Sequence, residues 1–321
     1  MIAQLQRRLI GLFGLFSIAW ALTSLQFGRP LWSPGGLIII VLLYAIVLGL
    51  EFAIMRWVNA ASPAARVSNC QIIVASLGEI LAVFRTFAWW QPFRSAAWPD
   101  WLPATGHQGR GIVLVHGFAC NRGVWNGWAE RLTDLRIPFV AVSMEPPAGS
   151  IDDYMGSIEP AIQSLERCTG MAPVVVAHSM GGLAVRKWWA AAPSSLRARP
   201  DGSPRLRRLI TIGSPHQGAW IARCAFTRNG RELRPASNWL QELRRMESPS
   251  HAAHISCFYS QCDNIVFPPE CAQVVGADNR PLHGIAHLQM VGRPELWLEA
   301  LRWLEPEPAA RDHAESQQPG P

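Results

Sequence analysis

Two long apolar runs stand near the start of the chain, Leu9 to Phe27 and Gly36 to Val58. Each approaches or exceeds the ~20 residues that cross a hydrocarbon core of roughly 30 Å. In the second run Glu51 is the only carboxylate, and Arg56 lies close to its end. Gly28 to Gly35, rich in Gly and Pro, is a short turn between them. The simplest reading is a transmembrane hairpin over residues 1–60, and the composition agrees: 49% of the 321 residues are hydrophobic and 16% charged, apolar for a soluble protein. Arg7 and Arg8 resemble the basic start of a signal peptide, but the first run is long and lacks a small-x-small cleavage site. Those two arginines precede the first span, Arg56, Arg66, Arg85 and Arg94 follow the second, and only Arg29 lies between them. The charge bias predicts both ends in the cytoplasm, as in a multi-pass protein of a bacterial-type inner membrane.

Residues 61–105 form a linking segment. Ile73, Leu77, Ile80, Leu81 and Phe84 recur at helical spacing, while Glu79 and Arg85 interrupt a third span, which predicts an interfacial helix. Trp89, Trp90, Trp98 and Trp101 then cluster, as headgroup anchors or as packing residues. The net charge of +6 is scattered along the chain, not gathered into a basic stripe, which argues against a nucleic-acid partner. Seven cysteines, without a CxxC pair or a Cys/His cluster, read as free thiols, with a Cys262–Cys271 disulfide as the competing idea.

After Gly106 the pattern changes. Short β-branched runs alternate with helical stretches, as in a parallel sheet covered on both faces. The strands read as 111–117, 139–144, 173–179, 208–215 and 254–263, with a sixth near Arg280 to Gly284. A helix from Pro294 to Leu304 closes a domain spanning 106–304, and the polar, Pro-rich tail 305–321 is expected to be disordered.

Within this domain AHSMGG (177–182) follows the apolar run Pro173 to Ala177 and precedes the helix-like LAVRKWWAAA. A serine at a sharp strand-to-helix turn needs small residues two positions either side, and Ala177 and Gly181 supply them. At the helix start, the Met180 amide and the helix dipole would stabilise negative charge on a substrate oxygen. HGFACN (116–121) follows the first strand and offers the Phe118 amide as a second donor, with His116 and Gly117 shaping the loop; an ordinary turn with a buried histidine is the alternative.

With these motifs in place, residues 110–304 resemble the α/β-hydrolase superfamily, in its lipase and esterase branch whose elbow reads AHSMGG. GSPHQGAW (213–220) is similar to that branch's T-P-H-x-G segment. The resemblance implies an α/β fold with a mostly parallel central sheet flanked by helices, here preceded by two predicted transmembrane helices. It implies the chain order nucleophile, acid, histidine: Ser179, Asp263 and His287, with Phe118 and Met180 as oxyanion donors. Asp278 and an Asx-turn role for Asp263 are the weaker alternatives for the acid, and His283 for the base. His178 reads as pointing away from the nucleophile, and His116, His216, His251 and His254 lack catalytic positioning.

The chemistry so implied is acyl transfer through a covalent intermediate, without metal or cofactor. The expected substrate is a lipophilic carboxylic ester at a membrane. A thioesterase would use the same residues, and a non-catalytic hydrolase-shaped scaffold is the reading from a different class. The apolar residues between Gly218 and His254 (Trp220, Ile221, Phe226, Trp239, Leu240, Leu243) read equally as an acyl-pocket cap or as helices covering the sheet.

Overall fold

A computed structural model describes residues 1–62, 65–104, 106–192, 198–199 and 202–305. The expected disordered tail lies, beyond Glu305, outside the described residues.

The β-branched runs form six parallel strands: β1 (Ile112–Val115), β2 (Phe139–Ala141), β3 (Val174–His178), β4 (Arg208–Ile212), β5 (Ile255–Ser260) and β6 (Asp278–Leu282). Their order is β2-β1-β3-β4-β5-β6. The sixth strand starts two residues earlier than the sequence suggested. Because strand side chains alternate between faces, β1 sends Val113 and Val115 into one core and Ile112 and Leu114 into another. Helices α6 (Met155–Thr169), α7 (Met180–Ala191) and α9 (Asn238–Met246) cover the first face. Helices α5 (Asn126–Asp134) and α10 (Pro294–Leu304) cover the second. Trp239, Leu240 and Leu243 of α9 are buried in the first core, so that part of the 218–254 segment covers the sheet. The short helix α8 (Arg228–Glu232) precedes it.

The N-terminal runs are helices α1 (Ile2–Gln26) and α2 (Gly35–Asn59). They pack closely where Gly35 and Gly36 meet Trp20: a Cβ on Gly36 would stand 2.9 Å from Trp20 Cβ. The Trp20 indole N–H donates to the Trp32 carbonyl at 2.8 Å and ties the turn. The hairpin leaves the rest of the protein and returns to it, since Gln6 Nε2 donates to Gln91 Oε1 at 2.9 Å and Asn59 Nδ2 to the Gln261 carbonyl at 3.3 Å.

The linking segment is more regular than expected. A capping box, in which Ser68 Oγ accepts from the Gln71 N–H and Gln71 Oε1 from the Ser68 N–H, starts α3 (Asn69–Val83). A π-helical turn, Phe84–Trp90, carries it into α4 (Gln91–Phe93). Among the described residues three helices, Asn69–Phe93 included, are long and apolar enough to cross a membrane. Glu79 does not break the apolar face, because its carboxylate is turned inward and buried. Trp98 and Trp101 pack against the second core while Trp89 is exposed, so the tryptophan cluster divides between the two roles. All seven cysteines are free, Cys262 and Cys271 included.

A third cluster joins Leu48, Phe52 and Met55 of α2 and Ala75 of α3 to Cys262, Phe267 and Ala286, from the loops that follow β5 and β6. Helices α2 and α3 thus sit over the C-terminal ends of the strands, the edge at which ligands meet open α/β sheets.

Candidate active site

Ser179 stands between β3 and α7 with φ 55° and ψ −129°, a region a non-glycine residue enters only when its surroundings force it there. Its N–H is held by the Ile212 carbonyl at 2.8 Å. The turn fits because its neighbours are small: a Cβ on Gly181 would stand 2.8 Å from the Val115 carbonyl oxygen and collide with that of His116. Ala177 is fully buried within β3.

The loop after β1 closes on the serine. A Cβ on Gly117 would stand 2.7 Å from Ser179 Cβ and 3.3 Å from its Oγ. His116 anchors this loop: its Nε2 accepts the Met144 N–H at 2.9 Å, which leaves Nδ1 to donate to the Gly117 carbonyl at 2.8 Å. Burial pushes the His116 pKa down to about 4, so it stays neutral in this role. Phe118 borders the cavity in front of Ser179, and Met180 opens α7 directly after it.

Asp263 follows β5 and is 1% exposed. Its Oδ1 accepts the backbone N–H of Ile265 at 2.9 Å and of Val266 at 2.8 Å, so it does shape its loop as an Asx turn. Both of its carboxylate oxygens also lie 3.0 Å from His287 Nδ1. Gly213 makes room for this pair, since a Cβ there would stand 3.0 Å from Asp263 Oδ2 and 3.1 Å from His287 Nδ1. Burial is the largest influence on the His287 imidazole and lowers its pKa, but the charge and hydrogen bond of Asp263, with Glu79 and Glu51 behind it, prevail and raise it.

Ser179 and His287 share a cavity of about 290 Å³. Its walls are largely apolar and come from both halves of the chain: Tyr44, Val47 and Leu48 of α2, Val83 and Phe87 of the segment that follows, and Phe118 and Ile265 of the strand-end loops. Trp220, Phe226 and Trp239 are not among its lining residues. His178, expected to point away, lines the cavity with its ring 4.6 Å from that of His287, and burial pushes its pKa well down. The alternatives are engaged elsewhere: Asp278 lies in β6 paired with Arg280 at 2.5 Å, and His283 is exposed. His216 bridges Arg186 and Thr211, at 3.0 Å to each.

Sequence reading missed Glu51, Glu79 and Asn264, which stand beside His287. A solitary carboxylate in an apolar run was the available signal, because its cost there demands a partner.

No protein-family model matches the sequence, and no curated protein matches it. Among solved structures, the mature lipase BlEst2 of Bacillus licheniformis aligns with a TM-score of 0.52 at 14% identity, over 64% of this chain and 98% of the lipase. Lipase B of Aspergillus fumigatus aligns with a TM-score of 0.50 at 18% identity, over 62% of this chain and 54% of that one. Parallel strands, helices on both faces and these likenesses make the fold that of the α/β hydrolases, with apolar helices preceding it.

Proposed function

We propose that this protein is a membrane-held serine hydrolase that cleaves lipophilic carboxylic esters through an acyl-enzyme on Ser179. The carrying observation is the convergence of Ser179 and the His287–Asp263 pair on one apolar cavity walled by the N-terminal helices. The likeness to lipases is one of fold and only admits this chemistry.

In the reaction, Ser179 Oγ attacks the ester carbonyl while His287 Nε2 takes its proton, and Asp263 fixes the tautomer by accepting from Nδ1. The backbone N–H groups of Phe118 and Met180 receive the oxyanion. His287 then hands the proton to the leaving alcohol, and water, activated by the same imidazole, releases the acid. The apolar walls suit an acyl chain, and the helices hold the site where such chains are dissolved. Arginines flanking the hairpin favour a cytoplasmic catalytic domain.

The test is a panel of esters varied in acyl length, with matched thioesters, together with a fluorophosphonate probe. Wild type should be labelled and should hydrolyse the lipophilic esters, and Ser179→Ala should lose both, by about 10⁶-fold in kcat. A folded wild type that takes no label would leave the non-catalytic scaffold as the reading. Preference for sulfur over oxygen esters would make the protein a thioesterase.

A further inference from the structure

Two carboxylates of the N-terminal helices reach the segment that carries His287. Glu79 on α3 is 3% exposed, and it accepts the backbone N–H of Leu288 at 3.0 Å on each oxygen and that of Gln289 at 2.9 Å. Glu51 on α2 accepts from Asn264 Nδ2 at 2.7 Å, and Asn264 Oδ1 in turn accepts the N–H of His287 at 3.2 Å. Three successive backbone donors, 287 to 289, are thus held by groups that trace to the two helices. The fit is close: a Cβ on Gly78 would run into the Gln289 side chain, whose Oε1 accepts the Ala286 N–H at 3.2 Å. A buried carboxylate is costly unless hydrogen-bonded, and charge-assisted bonds of this kind are about twice as strong as neutral ones.

We propose that Glu79, seconded by Glu51 through Asn264, is a positioning residue that sets the place of His287, so that the N-terminal helices complete the active site as well as anchor it. This rests on the reading of His287 as the catalytic base. The groups facing His287 are Asp263 after β5, His178 and Ser179 at the end of β3, Glu51 and Tyr44 on α2 and Glu79 on α3.

The test uses the full chain in detergent with a soluble chromogenic ester. Glu79→Ala should lower kcat about 10²-fold, the effect of a small misplacement of a reacting group, with KM little changed. Glu79→Gln keeps an acceptor oxygen without the charge. It should recover part of kcat and move the acid limb of kcat/KM to lower pH, because the imidazole loses a negative neighbour. Wild-type kcat and an unmoved acid limb in both variants would overturn the proposal. So would a Gln variant that fails to fold, which would make Glu79 a folding residue only; if the Ala variant alone fails, the Gln variant decides. Absence of Ser179-dependent hydrolysis in wild type would sink the functional reading itself, a separate result.

Discussion

At His287 burial and charge oppose each other, and the sign of the outcome fixes a pH dependence. Burial disfavours the imidazolium; Asp263, 3.0 Å away, with Glu79 and Glu51 behind it, favours it more strongly, and the pKa is raised above that of a free imidazole. As the proposed general base His287 must be neutral, so kcat/KM should fall as pH drops through that raised value. Asp263→Asn removes the main charge and should shift the acid limb to lower pH, while kcat drops about 10⁴-fold because the amide tolerates the wrong tautomer. An acid limb that stays in place in Asp263→Asn would sink the assignment. Asp263 and His287 were singled out in the sequence by the chain order nucleophile, acid, histidine that the hydrolase resemblance implies, and the structure brings them 3.0 Å apart. Glu79 was not, since a lone carboxylate announces a need for partners without naming them, and its partner Leu288 lies 209 positions away. The approach of His178 to His287, ring to ring at 4.6 Å, was not legible either, since the strand pattern gives the side a residue takes and not its contacts.

Among the elements, α7 follows Ser179 and carries two charges into the interior. Arg186, 4% exposed, makes two hydrogen bonds to Glu247, at 2.7 and 2.6 Å, and one contact with His216 at 3.0 Å. Removing one partner leaves a guanidinium buried without its counter-charge, which costs about 3–5 kcal/mol. Glu247→Ala should therefore lose stability on that scale in denaturant unfolding, while the folded fraction still labels at Ser179, because Glu247 lies outside the cavity. A loss below about 1 kcal/mol, the surface-pair range, would show that water reaches Arg186. Glu247 directly follows α9, the helix that tethers this pair to the sheet. Its apolar stripe was legible as a stripe, but a cap over a site and a cover over a sheet share one spacing; only the packing of Trp239, Leu240 and Leu243 into the core separates them.

For the whole molecule the distribution of exposed apolar side chains decides. Leu12, Phe13, Leu15 and Ile18 of α1, Leu42, Leu43 and Ile46 of α2, and Ile73, Val74, Leu77 and Leu81 of α3 are all exposed, whereas the strands bury theirs. The third helix joins this set because Glu79, its one carboxylate, turns inward, while Arg85 lies over the Trp90 ring, 4.5 Å from its centre. Charge interruptions along a sequence report how many polar groups a helix carries, not which way they face, and so do not separate an interfacial helix from a third span. Patches of this extent on a soluble protein mark a surface that is normally covered, and on the proposed function a hydrocarbon phase would cover all three helices at once. The protein should therefore float with lipid vesicles and remain bound in high salt, since apolar burial is not screened as surface charge is. Detergent should release it. Release by salt alone would mean that the basic residues hold it to the surface, and a detergent-free soluble monomer would remove the membrane from the proposed function.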